Sequence, residues 1–179
     1  MHTHTPDGSC GAPSFRGLLS CPRCGSVGQP VPRETVARFA PDHLEALGAG
    51  EIRFCPDPRC IATYYSPTGA WVDKAVLPVR IGLKESEGPR PLCTCFGHSY
   101  ESLAAEYRAT GAISAVIQVG AQARAGACRC AETNPQGVCC LTEMRKAVLA
   151  VQNLPAHPPR EPIDGCSTCA DPGGCASCG

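Results

Sequence analysis

Fifteen of the 179 residues are cysteine, and fourteen of them fall into three groups whose spacing suits metal chemistry. The densest group begins with Cys93-Thr-Cys95-Phe-Gly. Thirty-two residues separate Cys95 from Cys128-Arg-Cys130, which is followed by Asn134-Pro-Gln-Gly-Val-Cys139-Cys140. Iron–sulfur clusters are held by cysteine thiolates, four per cluster, so these six residues point to a small centre, [2Fe–2S] above all. Side chains two apart on a helix diverge widely, so Cys93 and Cys95 suit a loop wrapped around a cluster edge. A helix opening at His98-Ser99 would aim backbone N–H groups and a favourable dipole at an anionic centre. His98 could donate a hydrogen bond to a sulfur. On the far side, Asn134-Pro-Gln-Gly137 is a turn signal. There, Cys128 with Cys139 and Cys130 with Cys140 are both open to geometry. The same soft ligands would also suit a second zinc ion.

The upstream group is Cys21-Pro-Arg-Cys24-Gly25 with Cys55-Pro-Asp-Pro-Arg-Cys60. Two thiolates in a C-x-x-C turn chelate one tetrahedral ion, and Gly25 permits the tight turn. A redox dithiol would open a helix in a βαβ setting, which the Gly- and Pro-rich flanks do not supply. Cys21, Cys24, Cys55 and Cys60 are expected to close a structural Zn2+ site. The third group, Cys166/Cys169 and Cys175/Cys178, lies on a Gly-, Pro- and Ser-rich segment. Such a soft chelator suits Cu+ or another thiophilic ion.

Short strands and helices must position these thiols. β-favouring runs occur at 51–54, 62–66, 70–72 and 75–79, with Pro78 marking the last as an edge or broken strand. Residues 42–47 read as a short helix stopped by Gly48, and 82–91 as a linker. Three amphipathic stripes follow. Tyr100, Leu103, Ala104 and Tyr107 form the first, with Ser99 as N-cap and Gly111 as stop. Ile113, Val116 and Ile117 start the second, closed by Gly126. Leu141, Met144, Val148 and Val151 form the third, ended by Pro155. The expected fold is α+β: a tail at 1–16, a zinc-stabilised, β-rich unit at 17–90, a helical cluster-binding unit at 91–154 and a Cys-rich tail at 155–179.

Composition bounds the function. The formal net charge is zero, which gives no electrostatic case for nucleic acid or an anionic membrane. Aromatic residues make up 5%, so each core is thin and metal cross-links are a reasonable supplement. No run approaches the length of a membrane span, and no basic-then-apolar leader opens the chain. A cytoplasmic protein with reduced thiols is expected, in which clustered cysteines serve metal or redox chemistry. No catalytic triad, phosphate loop or carboxylate pair stands out, so an enzyme is not the expectation beyond a metal-ion reductase activity through the cluster.

The run Cys93–Gly97, followed by Cys128 to Leu141, resembles the N-terminal domain of CopZ-type copper chaperones. Cys21-Pro-Arg-Cys24-Gly25 and the Cys55–Cys60 loop with Tyr64 and Tyr65 resemble its zinc-binding portion. The second half is also similar to bacterioferritin-associated ferredoxin-like [2Fe–2S] domains, though ten residues separate Cys128 from Cys139 where two would be expected. The resemblance implies a zinc ion on Cys21, Cys24, Cys55 and Cys60, with a nearby group such as Asp57 as the alternative to one of them, and a [2Fe–2S] cluster on Cys93, Cys95, Cys128 and Cys139. It also implies a copper-transporting ATPase or a redox protein as partner. Those chaperones carry a further heavy-metal-associated domain with a Met-x-Cys-x-x-Cys site. Neither Met1 nor Met144 precedes a C-x-x-C here. The expected function is one-electron transfer linked to the handling of copper or another soft metal, with a plain ferredoxin-like carrier or a structural zinc module as alternatives.

Overall fold

The computed structural model describes residues 20–153. The tail cysteines Cys166, Cys169, Cys175 and Cys178, with the segments 1–16 and 155–179, lie outside the described residues. The first half is an antiparallel sheet of four short strands in the order β1–β2–β3–β4. These are β1 (Gln29–Val31), β2 (Ile52–Phe54), β3 (Ala62–Tyr65) and β4 (Trp71–Asp73). Helix α1 (Arg33–Phe39) follows β1 directly. Val36, Phe39, Leu47, Ile52, Phe54, Tyr64 and Val72 pack into the main core of this half. The pairing of β3 with β4 shifts register between Ala62 and Tyr64. Such an irregularity re-aims side chains. Ala62 and Tyr65 accordingly join Cys21, Cys55 and Cys60 in a separate small cluster backed by Trp71.

The second half begins with a two-stranded ribbon, β5 (Pro91–Cys93) and β6 (His98–Ser99). Helices α2 (Tyr100–Thr110), α3 (Ala115–Arg124), the single turn α4 (Cys130–Thr133) and α5 (Leu141–Gln152) complete it. The expected Ser99 cap is present: its hydroxyl accepts from the Ser102 N–H at 3.1 Å, and the Ser102 hydroxyl accepts from the Ser99 N–H at 3.0 Å. The helix ends at Gly111, as read. Leu103, Val119, Met144 and Val151 are fully buried in one core with Cys93 and Cys140. The molecule is thus mixed α and β, as the sequence implied.

Several local readings need correction. The expected strand at 75–79 is instead a 3₁₀ turn over Lys74–Val76, nucleated by the Asp73 carboxylate accepting the Ala75 N–H at 2.8 Å. The short helix expected over 42–47 is a 3₁₀ turn at Pro41–His43 followed by further turns. Strand β1 and helix α1 were not anticipated, because Pro30 and Pro32 argue against regular structure. They are tolerated because β1 is an edge strand and Pro32 stands at the helix N-cap. The expected linker contains a 3₁₀ turn, Gly82–Lys84, in which Lys84 is only 3% exposed.

Candidate metal centres

The Cys21–Cys24 turn and the Cys55–Cys60 loop meet over the small cluster beside β3. The Cys21 and Cys60 sulfurs are 3.9 Å apart, and those of Cys24 and Cys55 are 3.5 Å apart. All four ligand atoms lie within 4.8 Å of one another. A tetrahedral ion with Zn–S bonds of about 2.3 Å needs sulfurs about 3.8 Å apart, so the donor set fits Zn2+. Asp57 is not needed as a ligand, since its Oδ1 accepts the Arg59 N–H at 2.9 Å. Cys21, Cys55 and Cys60 are buried and Cys24 is exposed, in an open cleft lined by Arg23, Asp57, Arg59 and Ile61.

Each loop also aims backbone N–H groups at its sulfurs. Cys24, Cys55 and Cys60 accept from the N–H two residues further on, those of Ser26, Asp57 and Ala62. Gly25, at φ +77°, supplies the left-handed residue that the first turn requires. Burial opposes ionisation at all three thiols. At Cys24 the Ser26 hydrogen bonds and those from Cys55 and Cys60 outweigh it, bringing the thiol down to about 7. At Cys55 and Cys60 burial wins and the thiols are pushed up. A bound dication reverses that balance, because a coordinated thiol is deprotonated.

The downstream group is arranged differently. Cys95 and Cys130 approach to 3.7 Å. Cys93 and Cys140 are buried in the same core. The interaction with Cys140, helped by the Phe96 and Cys95 N–H groups against the cost of burial, brings Cys93 down to about 6. Burial, then the Cys95 sulfur, pushes Cys130 up to about 12. The Arg129 N–H donates to the Cys95 sulfur at 3.3 Å, and the Thr133 hydroxyl lies 3.1 Å from it. Thr133 went unnoticed in the sequence, where a lone threonine in a loop carries no signal. His98 pairs with Cys93 across the β5–β6 ribbon and interacts with Glu106. Among the described residues it makes no hydrogen bond to sulfur.

Of the two open pairings, Cys130 and Cys140 are the thiols that neighbour Cys95 and Cys93. Of the pair that the resemblance implies, Cys128 is half-buried, like Cys130 beside it, and Cys139 is exposed. Cys130 is the first residue of α4 and Cys140 the N-cap of α5, so each stands at a helix start.

The fold and the four-sulfur site define the class: a zinc-binding domain, and residues 18–77 match the CopZ-type family model described as "Zinc binding domain". The relative that extends the likeness beyond it is the copper chaperone CopZ of Archaeoglobus fulgidus, 30% identical over 123 residues. That alignment takes in 69% of this chain but only 58% of the length of that protein. The X-ray structure of the A. fulgidus CopZ N-terminal domain superposes with a TM-score of 0.61 at 28% identity, covering 72% of this chain and 96% of that one. Residues 18–77 therefore belong to the CopZ-type zinc-binding domains. The family match stops short of Cys93 and the five cysteines that follow it in the second group. Among the described residues, no helix is long and apolar enough to cross a membrane.

Proposed function

We propose that this protein handles metal in the manner of the CopZ chaperones, pairing a structural zinc site with a [2Fe–2S] centre on Cys93, Cys95, Cys130 and Cys140. The observation that carries this reading is the pairing of the downstream thiols. A [2Fe–2S] centre takes two protein ligands per iron, and two neighbouring pairs, Cys93 with Cys140 in the helical core and Cys95 with Cys130 at 3.7 Å, supply that donor set. A single zinc ion calls for the tighter gathering seen upstream. Such a centre, when bound, supplies one-electron transfer.

The chain's own residues divide the labour around it. Cys93 and Cys140 sit in the helical core with Leu103 and Met144, which keeps water from that edge. Cys95 and Cys130 are half-buried, so their edge is the one open to an electron partner. The N–H donors of Arg129 and Phe96 stabilise thiolate charge and favour the reduced state. Copper enters as substrate: Cu(II) gaining one electron from the reduced centre becomes Cu(I), a soft ion suited to thiolates such as Cys166, Cys169, Cys175 and Cys178. A copper-transporting ATPase or a reductase would be the partner.

Anaerobic purification with iron, sulfide and zinc quantitation tests the reading. Two irons, two sulfides and one zinc per chain are expected, with an EPR signal on reduction. Two zinc ions and no iron would sink it. Deleting residues 160–179 should abolish Cu(I) capture and leave electron transfer intact. Retained capture would remove the tail from the scheme.

A further inference from the structure

Lys84 lies beyond the matched zinc-binding segment, in the stretch read from sequence as a linker. It is 3% exposed. Its ammonium donates to the carbonyl oxygens of Asp57 at 2.9 Å and Cys60 at 3.0 Å. It also stands 5.5 Å from the centre of the Phe54 ring. Among the described residues it makes no ion pair with a carboxylate. Burying an ammonium costs several kcal/mol unless it is paired. Two carbonyl dipoles and a ring face satisfy its hydrogen bonds but bring no negative charge. Both carbonyls belong to the loop that carries Cys55 and Cys60. Four thiolates around Zn2+ leave two negative charges uncompensated.

We propose that Lys84 is the counter-cation of the zinc–thiolate centre, a positioning residue that holds the Cys55–Cys60 loop by its carbonyls and halves the net charge of the loaded site. The cation and the centre each make burial of the other affordable. Zinc loading and closure of the Gly82–Lys84 turn are therefore linked, and the residue extends the zinc module past the end of the matched family segment. The inference rests on the zinc site alone and does not depend on an iron–sulfur centre downstream.

The test compares three variants of the full chain, Lys84→Gln, Lys84→Met and Lys84→Arg. Glutamine keeps donors without charge, methionine keeps only the stem, and arginine keeps the charge. Zinc affinity is read by chelator competition, and the thiolates by the cobalt difference spectrum of the first site. Both neutral variants should lose roughly 10–100-fold in zinc affinity, and arginine should restore part of it. Their sulfur-to-cobalt charge-transfer band should move to lower energy, since thiolates without a neighbouring cation give up charge more readily. Melting of zinc-loaded and zinc-free protein separates charge from packing: Lys84→Met should lower the loaded midpoint more than the free one. Equal lowering of both midpoints, or wild-type affinity and band position in Lys84→Gln, would overturn the assignment. If Lys84→Met does not fold, the glutamine and arginine variants carry the comparison. Wild-type protein that binds no zinc would overturn both the site and the role of Lys84 within it.

Discussion

Cys139 and Cys140 are neighbours in the chain, yet one is exposed and the other 3% exposed against Cys93. The proposed ligand set turns on that difference. Cys130→Ser and Cys140→Ser should lose iron and visible absorption, whereas Cys128→Ser and Cys139→Ser should keep both. The reverse pattern would restore the pair that the resemblance implies. A second residue-scale prediction concerns Glu101. Burial works against its ionisation, but the Arg90 N–H at 2.9 Å and the guanidinium at 3.0 Å dominate and hold it down at about 2. A carboxyl depressed on folding stabilises the native state above its unfolded value, and that contribution disappears as pH falls through the folded one. The stabilisation should therefore be complete above about pH 5 and fade between about pH 4.5 and 2. The pair is partly exposed, so solvent screening keeps the effect to a fraction of about 1 kcal/mol. Acid titration of Glu101→Gln beside the wild type, followed by circular dichroism, should show a flatter acid limb in the variant.

At the scale of elements, the loop from Arg129 to Val138 is bolted to the first half of the molecule. The buried Tyr64 hydroxyl on β3 donates to the Pro135 carbonyl at 2.7 Å. The Thr35 hydroxyl on α1 donates to the Ala131 carbonyl, also at 2.7 Å. Burial pushes the Tyr64 phenol up, so it remains a neutral donor. Asn134 folds the loop, its amide donating to the Val138 carbonyl at 2.8 Å and its oxygen accepting the Gln136 N–H at 3.1 Å. Gly137 has φ +68°, and a Cβ there would stand 2.7 Å from Pro32 Cδ. Tyr64→Phe leaves a buried carbonyl without a donor and should cost about 1–3 kcal/mol in thermal unfolding. Gly137→Ala should be worse than a surface glycine change, because strain and a clash coincide. Either variant should speed amide exchange at residues 129–140. Unchanged exchange there would mean that the clamp does not hold the loop. The turn signal at Asn134–Gly137 was visible in the sequence. Its docking on Tyr64 and Thr35 was not, since neither residue type announces a partner some 70 to 100 positions away.

For the whole molecule the decisive quantity is zinc. Structural zinc sites contribute about 10–16 kcal/mol of apparent binding free energy in small domains, comparable to the entire stability of a typical fold. The first half has a small core and few aromatic side chains to replace it. Chelation should therefore unfold residues 20–77 outright, seen as a lost cooperative transition in calorimetry. Through Tyr64 and Thr35 it should also loosen the Cys130 loop. A chelated protein that keeps its melting transition would show the sheet to be self-sufficient.

What the sequence determined by itself is the chemistry available and much of the scaffold. Sulfur ligands are rare and their spacing is local, so Cys21, Cys24, Cys55 and Cys60 could be named as one zinc set before any fold was known. Helix caps and apolar stripes are local too, which is why Ser99, Gly111 and the three long helices were legible, although Ile117 of the second expected stripe is exposed. The tertiary structure decided everything that depends on direction. A residue count does not say which way a helix start turns a thiol, so spacing left Cys128 with Cys139 and Cys130 with Cys140 both open, and the proposal for Cys130 and Cys140 rests on their place beside Cys95 and Cys93. Nor does it say that a lysine in an apparent linker is buried beneath a metal loop, because burial is a property of the surroundings and not of the residue.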